Sequence, residues 1–345
     1  MKKVSIIGLF CMGKTIADGQ SIKTRIVACE IEKNFGEQQV NLIDTYEWKK
    51  NPLKLFWNCI KAVQISDNVV FLTDAGGIKV FPWLLNLANI FKKRTIHYVV
   101  IGGWLIHFVQ NHKFLMYCLK KLNGIFVETK VMKKELEKLG FKNVYLMPNF
   151  KDCILLNEQE LPSASEPYRF CMFSRMMKEK GVEDAVNAVQ SINRSYGRTV
   201  CTLDLYGQID PNQIEWFDRV QKTFSDDIHY YGIVPFDKSV DVLRDYYALL
   251  FPTHFYTEGI PGTIIDAYAA GLPVIASEWE SVDDILEVGV TGLSYPFEKP
   301  ECLEECLKIF IKTPEKVYEM KKNCLKKAEQ YLPDSVIDVL LSELV

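Results

Sequence analysis

In Glu258-Gly-Ile-Pro-Gly-Thr-Ile-Ile-Asp266-Ala-Tyr-Ala-Ala-Gly271-Leu-Pro-Val-Ile-Ala-Ser277, a glycine-rich turn leads into a short helix, a glycine stop and a buried strand. Pro261 suits the first helical position, where its missing N–H has no partner anyway. Gly262 lets a ligand approach the backbone closely. Gly271 stands where a helix closes on a left-handed residue. The helix start offers unpaired N–H groups and the positive end of a dipole, which suits phosphate. Two carboxylates bracket it: Glu258 in the turn and Asp266 about two turns into the helix. Phosphate donors flanked by two acids that can accept from hydroxyls suit a nucleotide sugar.

Outward from this stretch, apolar runs of strand length alternate with helical patterns, as in an α/β protein with parallel sheets. In the first half the strands read 4–8, 40–43, 69–73, 96–101, 124–128 and 144–147. Residues 130–139 form a helix stopped by Gly140. Residues 151–167 are polar and closed by two prolines, and read as a linker. A second set follows at 168–174, 199–206, 228–231, 248–251 and 274–276. At 345 residues the chain is long enough for two cores. The domains expected are 1–150 and 168–330, with a terminal helix over 331–345 that can cross back to the first. Two Rossmann-like doubly wound domains would face a cleft at the carboxyl ends of their strands, where such sheets bind ligands.

The composition, 48% hydrophobic and 25% charged, is that of a soluble globular protein. No apolar run approaches a membrane-spanning length. Net charge is −3, yet residues 1–150 carry 22 Lys+Arg against 11 Asp+Glu and the remainder 19 against 33. Such asymmetry points to an anionic partner for the first half. Basic and apolar residues mix at 91–94, 113–121 and 130–142, which suits an anionic membrane surface. No nucleic-acid motif accompanies them. The ten cysteines show no CxxC, and Cys302 and Cys306 have no His nearby, so neither a zinc site nor a disulfide framework is expected. This fits a reducing, cytoplasmic compartment.

The stretch at 258–277 resembles the donor site of GT-B-fold retaining glycosyltransferases, family 4, whose signature is two acids separated by seven residues. Here they are Glu258 and Asp266, the second one methylene shorter than the usual Glu. Ser174-Arg-Met-Met-Lys-Glu-Lys-Gly181 resembles the same family's basic loop, with Ser174 in place of Gly. The resemblance implies that Arg175 and Lys180 clamp the diphosphate and Glu258 holds the donor sugar. It also implies that Asp266 meets the ribose and that the turn Gly259-Ile260-Pro261-Gly262-Thr263 lines the sugar or phosphate. Gly207, Tyr231 and Gly232 end two strands where the family holds the base, most frequently uracil. The chain has no Asp-x-Asp to hold a cation on the diphosphate. The family needs neither metal nor cofactor, because fixed cations stabilise the leaving group. The implied activity is transfer of a hexose to a hydroxyl of a glycan or lipid-linked oligosaccharide in bacterial surface-polysaccharide synthesis, such as capsule. The enzyme would be cytoplasmic and peripheral at the inner membrane face.

Two other classes compete. Gly8-Leu-Phe-Cys-Met-Gly13-Lys14-Thr15 satisfies the P-loop pattern after a strand, and 69–74 ends in an Asp that would suit a metal. Against a triphosphatase, the residues between the glycines are bulky and apolar, and Asp18-Gly19 interrupts the helix that should follow. On the transferase reading this loop faces acceptor or diphosphate through Gly13 and Lys14. The third class is a non-catalytic GT-B partner protein. The family's acceptor-side His has no match: His97 falls at the wrong end of its strand and His107 comes late. Gly102 and Gly103 would let a sugar near the backbone, with Trp104 as a stacking platform or as core.

Overall fold

The computed structural model describes residues 2–13, 19–46 and 48–345. They form two compact units, Met1–Asp152 with Tyr331–Val345, and Cys153–Gln330. Each unit is built on a six-stranded parallel sheet, the doubly wound α/β class expected from the alternation of patterns.

The first sheet holds β1 (Val4–Gly8), β2 (Val40–Asp44), β3 (Asn68–Thr73), β4 (Thr95–Val100), β5 (Gly124–Val127) and β6 (Val144–Leu146), in the order β2-β1-β3-β4-β5-β6. Every residue of β1 and β3 is buried, whereas edge strand β2 is mostly half-exposed. That is the difference between a strand covered on both faces and one at a margin. The helices are α1 (Gly19–Phe35), α2 (Pro52–Ile65), α3 (Phe81–Ala88), α4 (Leu105–Val109), α5 (Lys113–Leu119) and α6 (Lys130–Lys138). Thr129 caps α6, its hydroxyl accepting from the Met132 N–H at 3.1 Å, and Gly140 follows at φ +80°. α1 is described from Gly19 and runs for 17 residues; residues 14–18, where the helix of a P-loop would begin, lie outside the described residues.

The second sheet holds β7 (Tyr168–Phe173), β8 (Cys201–Tyr206), β9 (Ile228–Gly232), β10 (Ala248–Phe251), β11 (Val274–Ser277) and β12 (Gly292–Tyr295), in the order β12-β11-β10-β7-β8-β9. β12 escapes a sequence reading because its four residues carry no apolar run; Gly292 is needed there, since a Cβ would lie 1.9 Å from the Val274 carbonyl oxygen. The unit's helices are α7 (Val182–Tyr196), α8 (Ile214–Gln221), α9 (Ser239–Leu243), α10 (Gly262–Ala269), α11 (Glu301–Lys312) and α12 (Pro314–Ala328). The segment read as a linker packs into this unit from Cys153 onward. Leu156 and Leu161 are buried against Leu325, and the Leu156 N–H donates to the Ala269 carbonyl at 2.9 Å. Polar composition concealed two leucine anchors.

The last residues form α13 (Pro333–Val336) and α14 (Asp338–Leu344) within the first unit. Val336, Ile337, Leu340 and Leu344 share a core with Val4, Ile6, Val27, Val70 and Phe126. The Asn68 side chain donates to the Leu344 carbonyl at 2.8 Å.

Lys321 on α12 is fully buried, its ammonium donating to the Tyr246 carbonyl at 2.8 Å. Burial pushes its pKa down from 10.5 to about 8. The unfolded chain therefore holds this proton more tightly. The resulting penalty is fully present below pH 8 and fades as pH climbs toward 10.5. Lys321→Met is expected to raise stability by about 1–3 kcal/mol at pH 7, although it loses the bond to Tyr246. Urea denaturation at pH 7 and 9.5 checks this: the gain must shrink at the higher pH, and an equal gain at both would assign it to packing.

Candidate active site

The chain leaves β7 for β8 and β9 on one side, then returns to β10 on the other. The carboxyl ends of β7 and β10 thus form the switch point of the second sheet, the usual crevice for ligands. The loops leaving these strands, 174–181 and 252–261, meet there. Gly181 allows the meeting: it sits at φ +70°, and a Cβ would lie 1.9 Å from the Pro252 carbonyl oxygen.

This contact sets Lys180 against the second loop. Its ammonium pairs with Glu258, at 19% and 16% side-chain exposure. The same Glu258 oxygen accepts from the Thr253 hydroxyl at 3.0 Å, and the ammonium lies over the Phe255 ring, 4.9 Å from its centroid. The Ser281 hydroxyl fixes the Glu258 carbonyl at 2.9 Å. The loops are also tied by the His254 N–H, which donates to the Glu179 carbonyl at 2.8 Å. His254 Nε2 lies 2.6 Å from Asp184 Oδ2; burial raises the Asp184 pKa, and this bond opposes the rise.

Pro261 precedes α10 as its N-cap, in extended backbone, rather than occupying the first helical position. Its carbonyl accepts from the Ile264 and Ile265 N–H groups at 3.0 and 3.4 Å. The N–H groups of Gly262 and Thr263 belong to the first turn, which no earlier helical carbonyl can serve. Beside them, Thr263 Oγ1 is buried without a hydrogen-bond partner. Ligand oxygens here would satisfy hydroxyl and backbone together. Asp266 is the fifth residue of α10, little more than one turn in, and is buried. The helix closes as expected: Gly271 at φ +64° donates to the Tyr268 carbonyl, and Leu272 to that of Ala267, a Schellman ending.

Arg175 is half-exposed and pairs with Asp210 at 3.5 Å. Of the three cations of the basic loop, Arg175 and Lys180 therefore have separate partners, Asp210 and Glu258. Gly207, at φ +138°, lets this loop pass over the end of β8; a Cβ would lie 1.8 Å from the Ser174 carbonyl oxygen. The Gly207 N–H donates to the Gly232 carbonyl at 2.8 Å. Tyr231 is exposed and stacks on Tyr206 at 5.3 Å, which in turn packs on Phe173 at 4.6 Å. These rings make an aromatic wall at the ends of β7, β8 and β9. Thr253, Phe255, Asp210 and Tyr206 were not among the sequence candidates. Only their places just past or at strand ends could have drawn attention to them.

In the first unit the P-loop candidate has a different use. The N–H groups of Phe10, Cys11 and Met12 donate to the Asp44 carboxylate at 3.0, 3.3 and 2.9 Å. Amides that would cradle a phosphate are thus turned onto a carboxylate of the chain itself. Asp74, the candidate metal-holding acid, accepts from the Gly76 and Gly77 N–H groups at 2.9 and 3.0 Å. Gly13 is exposed at φ +72°, and Lys14 lies outside the described residues. Gly102, at φ +81°, and Gly103 follow β4. The Trp104 indole N–H donates to the Ile101 carbonyl at 2.8 Å and its ring meets Phe108 edge-on, so half of this ring belongs to the core. His97 is buried in β4 against Phe126, and burial lowers its pKa to about 4, so it is neutral.

Residues 167–312 match the family described as glycosyl transferases group 1. A segment of 114 residues is 25% identical to the D-rhamnosyltransferase WbpZ of Pseudomonas aeruginosa, covering 33% of this chain and 30% of that protein. The chain thus spans under a third of the length of this curated relative. The whole chain superimposes on solved structures. One is Alr3699/HepE of Anabaena in complex with UDP and glucose (TM-score 0.73, 12% identity, 99% of each chain). Another is sucrose-phosphate synthase of Thermosynechococcus elongatus (TM-score 0.74, 15% identity, 100% and 98%). A third is the lipopolysaccharide outer core galactosyltransferase WaaB (TM-score 0.69, 16% identity, 99% of each). The chain accordingly has the GT-B fold, and the stretch that matches the glycosyl transferases group 1 family, residues 167–312, lies within its second unit.

Proposed function

We propose that this protein is a retaining glycosyltransferase that moves a hexose from a UDP-linked donor to a hydroxyl of a glycan or lipid-linked oligosaccharide. The observation that carries the reading is the Lys180–Glu258 pair at the switch point of the group 1 domain, beside the first turn of α10 and the buried Thr263 hydroxyl. Lys180 and Arg175 neutralise the diphosphate as it leaves, where charge grows in the transition state. The turn from Gly259 to Thr263 receives sugar or phosphate oxygens, and Glu258 holds the sugar. Asp266 is assigned to the ribose, and Tyr231, Gly207 and Gly232 to the base. The bond from the anomeric carbon to the phosphate oxygen breaks, a bond to the acceptor oxygen forms, and the acceptor's proton passes to the departing phosphate. No bound metal is required in this scheme. The first unit takes the acceptor, with Gly13, Gly102 and Gly103 facing it. Its basic and apolar surface would hold the enzyme at the inner face of an anionic membrane during surface-polysaccharide synthesis. Among the described residues no helix is long and apolar enough to cross a membrane.

Capture of the Phe10–Met12 amides by Asp44 argues against the triphosphatase. The paired Lys180 and Glu258 argue against a non-catalytic partner. A thermal-shift panel of UDP, GDP, ADP and ATP, with and without magnesium, tests all three, because a ligand bound only by the folded state raises Tm. UDP is expected to stabilise without magnesium, by about 2.7 kcal/mol at a hundred times its Kd. Stabilisation by Mg-ATP alone would overturn the reading in favour of the triphosphatase, and no shift with any nucleotide would favour the partner protein.

A further inference from the structure

Tyr231 departs from the alternation of its strand. Leu205 of β8 faces Tyr230 of β9, but the next residue, Tyr206, faces Gly232. Tyr231 is therefore the extra residue of a bulge, a device that re-aims a side chain beside functional sites. Its ring is exposed and has two ring neighbours in β8 and β9. Tyr206 stacks on it at 5.3 Å and 18°, and His229 lies 5.9 Å away at 32°.

Both neighbours lead to one buried carboxylate. Asp204 of β8 is 4% exposed, and Tyr246, between α9 and β10, is 2% exposed. The Tyr246 hydroxyl donates to Asp204 Oδ2 at 2.7 Å. Its one proton is thereby used, so the Tyr206 hydroxyl, 2.6 Å away, donates to Tyr246. His229 Nδ1 lies 3.6 Å from Asp204 Oδ1. Arg169 of β7 balances the carboxylate: its guanidinium is 3.2 Å from Oδ2 and covers the Tyr246 ring at 4.6 Å. Hydrogen bonds to a charge are shorter and stronger than neutral ones, and each bond in such a chain polarises the next.

We propose that Asp204 is a positioning residue for the nucleotide's base. Through Tyr246 and beside His229 it fixes the rings that flank Tyr231, so that the bulged Tyr231 meets the base as a platform already set. The inference rests on the assignment of Tyr231 to the base under the transferase reading. A ring that is fixed beforehand loses less freedom when a planar ligand stacks on it, which is how preorganisation raises affinity. Every base has a π-face, so the wall adds affinity without choosing among bases.

Calorimetric titration of the full chain with UDP and with pyrophosphate, both without magnesium, tests the proposal, because pyrophosphate has no base to meet the wall. The wild-type chain should bind UDP at least tenfold more tightly than pyrophosphate. Tyr206→Phe and Tyr246→Phe each keep a ring and remove one hydroxyl of the hydrogen-bond chain. Each should weaken UDP at least fivefold and leave pyrophosphate within twofold, which also shows that the variant folds. The double variant should bind UDP no more weakly than the weaker single variant, since both break one link. Equal losses for UDP and pyrophosphate would make the network a general support of the fold and overturn the proposal. So would undiminished UDP binding in both single variants, or losses that multiply in the double variant. A wild-type chain that binds pyrophosphate as tightly as UDP would keep the diphosphate site and take the base off Tyr231, which defeats this inference alone. A chain that binds neither would defeat the transferase reading and this inference with it.

Discussion

Lys180→Ala and Glu258→Ala are each expected to lower kcat/KM by at least about 100-fold, in line with losses on removing one group that stabilises transition-state charge. The pair is largely desolvated, at 19% and 16% exposure, so its field is screened less than that of a surface ion pair. Lys180 is held by Glu258 and by the Phe255 ring, which fixes the charge before substrate arrives. Glu258 is held by Lys180 and Thr253. Removing Lys180 takes away both the cation proposed for the diphosphate and the partner of Glu258. The fold should persist, because neither side chain belongs to the buried cores; circular dichroism of both variants checks this. Lys180→Arg should recover only part of the activity, since a planar guanidinium does not replace a point charge at the same position. Full activity in both alanine variants would sink the proposed roles.

The second large effect is on stability. Lys23 of α1 and Glu128, just after β5, form an ion pair with side chains only 2% and 3% exposed. The Lys23 ammonium donates to Glu128 at 2.5 Å and to the Val100 carbonyl at 3.0 Å. It thereby ties α1 to the carboxyl ends of β4 and β5. Lys23→Met removes the cation that balances a buried carboxylate, and such a loss costs about 3–5 kcal/mol. That is a large share of the roughly 5–15 kcal/mol by which domains are stable. Lys23→Met combined with Glu128→Leu should restore most of the loss, because two apolar groups carry no desolvation cost. Chemical denaturation of the single and double variants measures both steps. A double variant as unstable as the single one would show that packing, not charge, sets the loss.

The segment 258–277 was legible because its turn, helix and strand signals are local. Gly181 and Gly271 announce left-handed backbone, and the buried strands β3, β7 and β10 announce themselves as continuous apolar runs. The resemblance then named Arg175, Lys180 and Glu258. Other features were hidden because residues far apart in sequence make them. Asp210 takes Arg175 across 35 residues. Asp44 captures the amides of Phe10 to Met12 from the next strand, which no P-loop pattern could reveal, since the pattern records spacing and not what the amides face.

By itself the sequence determined that the chain alternates strand and helix in two sets, because hydrophobic periodicity and glycine stops are properties of neighbouring residues. It also determined where the helix α10 starts and stops, since Pro261, Gly262 and Gly271 mark it locally. Only the tertiary structure decided that residues 331–345 complete the core of the first unit. It alone decided that Leu156 and Leu161 turn a polar segment into packing, that Lys23 finds Glu128, and that Tyr246 reaches Asp204. These depend on which surfaces meet when the chain buries its apolar area, and that pairing is set by the whole molecule rather than by any one segment.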